Sequence, residues 1–168
     1  RVGRTRSGAG PENVPRADRL MRTPERLGPR AVQAGMELVV DQWSPALSAT
    51  VRAGAAAVEQ ILFNLVDNAG KYAQSATDRT IRVESSCDGR FAMLRVCDHG
   101  PGITEVEARR LFRPFTKSAR DAAHSAPGVG LGLALSRRLA RDMGGDLRID
   151  GRHGCGGACF LLTLPLAQ

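Results

Sequence analysis

The stretch Glu59 to Tyr72, EQILFNLVDNAGKY, constrains this chain more than any other. Wound as an α-helix at about 100° per residue, it places Val58, Ile61, Leu62, Leu65, Ala69 and Tyr72 on one apolar side. Asn64, Asn68 and Lys71 fall on a separate polar stripe roughly 60° wide. The apolar side demands a core to cover it. The polar side sets two carboxamides and an ammonium at i, i+4 and i+7, where side chains along one face reach each other. That trio suits a metal-bound phosphate, because an Asn oxygen ligates Mg²⁺ without adding charge and a Lys pairs with phosphate oxygens. A solvated face on a surface helix would also carry these residues, so the helix alone leaves both readings open.

Composition narrows the setting. At 168 residues and 42% hydrophobic content there is room for one domain with a core, and the aromatic share of 4% makes that core mostly Leu, Val, Ala and Ile. No run approaches the ~18 apolar residues of a membrane helix, and no signal-peptide pattern is present. The chain reads as a soluble, cytoplasmic domain whose parent could be membrane-anchored. Its start at Arg1 reads as a piece of something longer. Of the net charge of +7, residues 1–30 supply +5, with eight Arg against Glu12, Asp18 and Glu25. Basicity is therefore a property of one end, read as cladding of a linker or helix, and no nucleic-acid partner is expected. Cys87, Cys97, Cys155 and Cys159 form no Cys-x-x-Cys pair and read as small buried hydrophobes in a reducing compartment.

Along the chain, Arg1 to Pro15 reads as a tail, and residues 16–34 as a helix broken by Pro24 and Pro29. Strands are expected at 36–41 and, after a turn at Trp43-Ser44-Pro45, at 49–53. Beyond the central helix, 80–87 and 91–98 read as a hairpin turning at Asp88-Gly89, and the second strand runs into Asp98-His99-Gly100-Pro101-Gly102, which must be a loop. A short helix at 105–112 has Thr104 as its cap, and 116–127 reads as a mobile loop. A helix over 131–143 stops at Gly144-Gly145, and strands at 146–150 and 158–164 close the chain. Interleaved helices and hairpins predict an α+β fold: a two-layer sandwich with a mixed, mostly antiparallel sheet and helices on one face.

The glycine clusters carry the remaining chemistry. GVGLGL at 128–133 has Leu133 where a dinucleotide fingerprint needs its third Gly, and it lacks a preceding strand. No P-loop pattern exists. The cluster does run into a helix, whose free amides and positive end can hold an anion.

Taken in order, NLVDNAGKY, DHGPG, LFRPF, GVGLGL and GGACF resemble the N box, first glycine box, F box, second glycine box and terminal glycine motif of the ATP-binding catalytic domain of bacterial sensor histidine kinases. That domain belongs to a wider superfamily with gyrase and MutL, sharing the Bergerat-type ATP-binding fold. The resemblance covers about residues 31–168 and divides the chain into 1–30, a basic linker or the end of an upstream dimerisation helix, and 31–168, the catalytic domain. It implies ATP and Mg²⁺ as cofactors. Asn68 would ligate Mg²⁺, with Asn64 supporting the metal or its water. Lys71 and Lys117 would contact phosphate, and Tyr72 would lie along the adenine or ribose. Asp98 would accept from the adenine amino group, with Gly100 and Gly102 letting the backbone approach the base. Gly128, Gly130 and Gly132, with Leu131 between the last two, would supply backbone amides to the phosphates. Pro101 to Pro127 would form a lid docked by Phe112 and Phe115. The chain departs from the pattern at His99, Gly70, Ala158 and Gly54.

Relatives that hydrolyse ATP, and the serine kinases of this fold, carry a Glu where this chain has Asn64. An amide cannot take a proton, so transfer to an already nucleophilic imidazole is favoured over activation of water or a hydroxyl. None of His99, His124 and His153 lies on a helix in an acceptor-like setting. The expected acceptor is therefore a His on an upstream dimerisation domain, with a response regulator downstream, a homodimeric parent and a monomeric isolated domain. The alternatives are an ATPase or serine kinase of the same fold, or a nucleotide-binding module without transfer.

Overall fold

The computed structural model describes residues 13–42, 54–73, 75–113, 129–150 and 156–166. In chain order the elements are α1 (Asn13–Gln33), β1 (Glu37–Gln42), α2 (Ala55–Tyr72), β2 (Thr80–Asp88), β3 (Phe91–Cys97), α3 (Glu105–Leu111), α4 (Val129–Asp142), β4 (Asp146–Ile149) and β5 (Cys159–Pro165). One five-stranded sheet has the order β1-β2-β3-β5-β4, with β1 parallel to β2 and the other neighbours antiparallel. The expected mixed, mostly antiparallel sheet is present. The expected strand at 49–53 and the turn at 43–45 lie outside the described residues.

Alternation along the strands separates the two faces. Ile81, Val83, Ala92, Leu94, Val96, Phe160, Leu162, Leu164 and Leu147 are buried beneath the helices. On the opposite face Arg82 pairs with Asp41 at 2.9 Å, and Arg95 pairs with Asp150 at 2.9 Å. A face laced with ion pairs is one that water covers, so the helices form a single layer on the other side. Val58, Ile61, Leu62, Leu65, Val66 and Ala69 of α2 supply the middle of that layer.

Four local expectations change. The first helix is assigned without a break from 13 to 33 despite Pro24 and Pro29. Burial of Thr23, Leu27 and Ala31, with Arg26 bound to Glu59 at 2.7 Å and Arg30 to Asp67 at 2.8 Å, fixes it against α2. The division drawn at residue 30 therefore falls inside one packed helix, and two of the terminal arginines serve as ties between helices. The hairpin turns at Gly89-Arg90, because Asp88 is still paired with Phe91, and Gly89 takes the positive φ of 58° that the turn needs. Helix α4 begins at Val129, which draws Gly130, Leu131 and Gly132 into its first turn. Finally, Cys97 and Cys159 are joined as a disulfide, which corrects their reading as separate buried thiols. They sit directly opposite on β3 and β5 with Cα atoms 4.1 Å apart, and the Asp98 N–H to Ala158 C=O bond at 2.9 Å marks the pair as the type whose side chains lie closest. Their separation of 62 residues hid this in the sequence.

At its far end α4 is tied to β4: Arg137 and Arg141 reach Asp146 Oδ1 at 3.4 and 3.0 Å. Burial pushes that carboxyl up, but the Leu147 N–H and the two guanidiniums outweigh it and hold Asp146 below the usual carboxylate range. No described helix is long and apolar enough to cross a membrane.

Gly70 in the middle of α2 has a packing reason. A Cβ there would come within 2.5 Å of Ala34 Cβ, where the corner after α1 crosses α2. Helix propensity alone predicts that Gly70→Ala gains roughly 1 kcal/mol. The expected outcome is instead a loss of about 1–2 kcal/mol from overpacking, read by urea denaturation; a gain would contradict this packing.

Candidate functional site

The two carboxamides of α2 face the start of α4. Asn68 is 6% exposed, and its Nδ2 donates to the Asn64 backbone carbonyl at 2.8 Å, an i to i+4 link within the helix. Asn64 Nδ2 donates across to Ser136 Oγ at 2.9 Å and more weakly to the Gly132 carbonyl at 3.4 Å. A Cβ on Gly132 would stand 3.9 Å from Asn64 Cγ and 4.0 Å from Asn68 Nδ2, so the glycine turn lies directly over both side chains. Because α4 starts at Val129, the N–H groups of residues 129–131 have no acceptor within the helix. Gly130 and Leu131 thus bring two amides without an acceptor in the helix to its positive end, and Gly132 lies beside Asn68.

A divalent hard cation fits this arrangement on one observation. Among the described residues Asn68 Oδ1 accepts no hydrogen bond although the residue is buried, and a neutral carbonyl-type oxygen of that kind is a suitable ligand. Asn64, expected to support the metal or its water, gives both hydrogens of its amide to α4. Its Oδ1 lies 3.3 Å from Gln60 Nε2. Its observed part is therefore to join two helices.

The second anchor is Asp98, just past β3 and 2% exposed. Its Oδ1 accepts from Gly100 N at 2.9 Å and from Ala158 N at 3.1 Å. One oxygen thereby fixes the loop that follows β3 and the residue that precedes β5. Gly157 must be glycine for this, since a Cβ there would strike the Asp98 carbonyl and Oδ1. The loop is also pressed onto the end of α2, where a Cβ on Gly100 would meet Tyr72 O at 3.0 Å and Ala73 Cα at 3.1 Å. Close approach to helix α2 is thus the visible reason for Gly100, while Gly102 takes a φ of +85°. His99 turns aside, with Nδ1 3.3 Å from Thr80 O and 3.7 Å from Asp78, whose carboxyl the Thr80 hydroxyl and N–H hold low.

Of the remaining expected residues, Lys71 is exposed with its ammonium 5.4 Å from the centre of the Tyr72 ring, and Tyr72 is half-buried. Phe112 packs on Phe160 at 6.3 Å and carries the Arg137 guanidinium at 4.6 Å, which anchors the end of α3 to sheet and helix alike. Phe115, Lys117 and Gly128 lie outside the described residues. A cavity of about 470 Å³ opens on the Asp98 side of the cluster, lined by Gly102, Ile103, Gly157 and Ala158 among others. A second, about 580 Å³, lies along the outer flank of α4 at Phe112, Leu135 and Arg138. Neither has Asn64 or Asn68 among its described lining residues. Sequence reasoning missed Gly157, the Ala158 N–H and Ser136. The GGACF glycines gave a signal for the first two, whereas nothing in the sequence marked Ser136.

Comparison with known proteins agrees with this geometry. Residues 53–168 match the family described as histidine kinase-, DNA gyrase B-, and HSP90-like ATPase. The chain is 37% identical over 142 residues to the sensor histidine kinase MtrB of Mycobacterium bovis, covering 84% of this chain and 24% of MtrB. It is 36% identical over 152 residues to the kinase/phosphatase MprB of Mycolicibacterium smegmatis, covering 89% and 29% respectively. It is also 37% identical over 107 residues to the sensor protein KdpD of Escherichia coli, covering 64% of this chain and 11% of KdpD. The chain thus spans less than a third of the length of these curated relatives. Among solved structures, full-length ShkA in complex with AMPPNP superposes with a TM-score of 0.66 at 29% identity, covering 90% of this chain and 30% of ShkA. A mycobacterial MprB structure gives 0.64 at 28%, covering 89% and 95%. The chain belongs to the histidine kinase-, DNA gyrase B- and HSP90-like ATPase family, as an ATP-binding domain of the sensor histidine kinase kind.

Proposed function

We propose that this domain binds Mg²⁺-ATP and transfers the γ-phosphoryl group to a His on a dimerisation domain outside the chain, from which it passes to an aspartate of a response regulator. The observation that carries this reading is the convergence of Asn68 and the first turn of α4 on one side, and of the Asp98 loop on the other, around the end of α2. Asp98 offers the base a fixed acceptor. Gly130, Leu131 and Gly132 present amides to the phosphates, and by the family pattern Gly128, Lys71 and Lys117 complete the phosphate contacts while Tyr72 flanks the base or ribose. Asn68 would hold the metal ion, which when bound neutralises charge on the β- and γ-phosphates. What the protein contributes is position and charge compensation, the main requirements of phosphoryl transfer.

The carboxylates of α2 favour a kinase over a hydrolase. Glu59 is occupied by Arg26 at 2.7 Å and Thr23 at 3.1 Å, and Asp67 by Arg30 at 2.9 Å. Neither is placed as a base for water, and Asn64 cannot be one. An imidazole acceptor needs no such base.

Two outcomes test the reading. In Asp98→Asn the remaining oxygen still accepts from Gly100 and Ala158, while an NH₂ donor replaces the second oxygen. ATP affinity measured by calorimetry should fall by about tenfold or more, the effect of turning one recognition hydrogen bond repulsive, with the thermal midpoint nearly unchanged. Incubated with radiolabelled ATP and its His-containing dimerisation domain, the chain should yield an acid-labile, alkali-stable label that Asn68→Ala abolishes. Steady ATP hydrolysis independent of that domain would point to an ATPase, and binding without transfer to a nucleotide-sensing module.

A further inference from the structure

We propose that Ser136 is a positioning residue of the nucleotide site: its hydroxyl, held by the Asn64 carboxamide, sets the spacing between the helix that carries Asn68 and the helix whose first turn offers the phosphate amides. The inference rests on the Mg²⁺-ATP reading above and assigns a part to a residue outside the five family motifs.

On α4 the residues turned inward are Leu133, Ser136 and Ala140, spaced i, i+3 and i+7 and exposed by 2%, 0% and 0%. Ser136 is the polar member of an otherwise apolar row. A hydroxyl removed from water there costs free energy unless it is bonded, and Asn64 Nδ2, 72 residues away in sequence, meets it at 2.9 Å. The second hydrogen of the same amide points to the Gly132 carbonyl at 3.4 Å, one turn earlier on α4. Ser136 can accept or donate, but a carbonyl only accepts, so the amide cannot turn over. Its NH₂ faces α4 and its oxygen faces Gln60. The Asn64 backbone carbonyl in turn receives Asn68 Nδ2 at 2.8 Å, which leaves Asn68 Oδ1 as the oxygen presented to a cation.

Ser136, Asn64 and Asn68 therefore form one hydrogen-bonded series across the α2–α4 seam. At that seam the Gly132 backbone lies within van der Waals reach of both Asn side chains. The spacing matters most when a ligand touches both helices at once. A metal-bound triphosphate does so, engaging Asn68 on one side and the α4 amides on the other. A metal-free nucleotide, held through Asp98 and the amides, depends on the spacing less. Loss of the Ser136 hydroxyl leaves Asn64 with the longer bond alone, so Mg²⁺-dependent affinity should suffer selectively.

The test is calorimetric ATP binding to the 168-residue chain in excess Mg²⁺ and in EDTA, for wild type, Ser136→Ala, Asn64→Ala and the double variant, with a thermal melt of each. For Ser136→Ala the tightening conferred by Mg²⁺ should fall by about three- to tenfold, the worth of one hydrogen bond, while affinity in EDTA stays within about twofold. Asn64→Ala, whose side chain is only part-buried, should show the same loss and carries the test if Ser136→Ala does not fold. The double variant should lose no more than either single one. Wild-type Mg²⁺ tightening in Ser136→Ala, an equal loss with and without Mg²⁺, or losses that multiply in the double variant would overturn the inference and leave the nucleotide reading intact. A wild-type chain that binds ATP no better with Mg²⁺ than without would overturn both.

Discussion

A single carboxylate oxygen, Asp98 Oδ1, gathers three pieces of the chain. It sits just past β3, takes the N–H of Gly100 in the following loop and takes the N–H of Ala158 at the start of β5. At 2% exposure an ionised carboxylate is costly unless its hydrogen bonds are made, so the loop and the strand end are bound to this geometry as firmly as Asp98 is bound to them. Gly157 and Gly100 permit the closeness, the one against Asp98 itself and the other against the end of α2. The disulfide between the neighbouring Cys97 and Cys159 crosses the same two strands one residue away. The acceptor for a base is thus part of the sheet's own end, preorganised before any ligand arrives.

The other half of the site is built on helices, and its order has a different origin. Helix α2 is locked on one side by the core and on another by arginines of α1, which occupy Glu59 and Asp67. That leaves the Asn stripe as the polar surface turned to α4. The amides at the start of α4 and the oxygen of Asn68 are complementary in charge: one set suits an anion and the other a cation. A phosphate carrying its own metal ion satisfies both.

Much of this was legible in the sequence because helical and strand periodicities differ and because five short motifs occur in a fixed order. The buried side of α2 was read correctly from Val58 to Ala69, and the strands from the alternation around Ile81 and Leu94. What escaped depends on contacts between segments far apart. Prolines argued for a broken first helix, yet burial of Leu27 and Ala31 and the pairing of Arg26 outweighed local propensity. Strand register alone brings Cys97 opposite Cys159, and no spacing rule could have paired them. Ser136 was invisible because a serine in a helix carries no signal until its partner across the seam is known. Lys117 and Gly128 keep only the assignment that their motifs imply.

The central claim is that the Asp98 loop and the α2–α4 seam face one nucleotide. Its most direct measurement is the amide spectrum of the isotopically labelled chain titrated with ATP and Mg²⁺. The account predicts that the largest shifts fall on the backbone amides of Gly100, Ala158 and residues 130–132 and on the side-chain amide of Asn68, all following one saturation curve. Shifts confined to the ion-paired outer face of the sheet, or two groups of residues saturating independently, would contradict it.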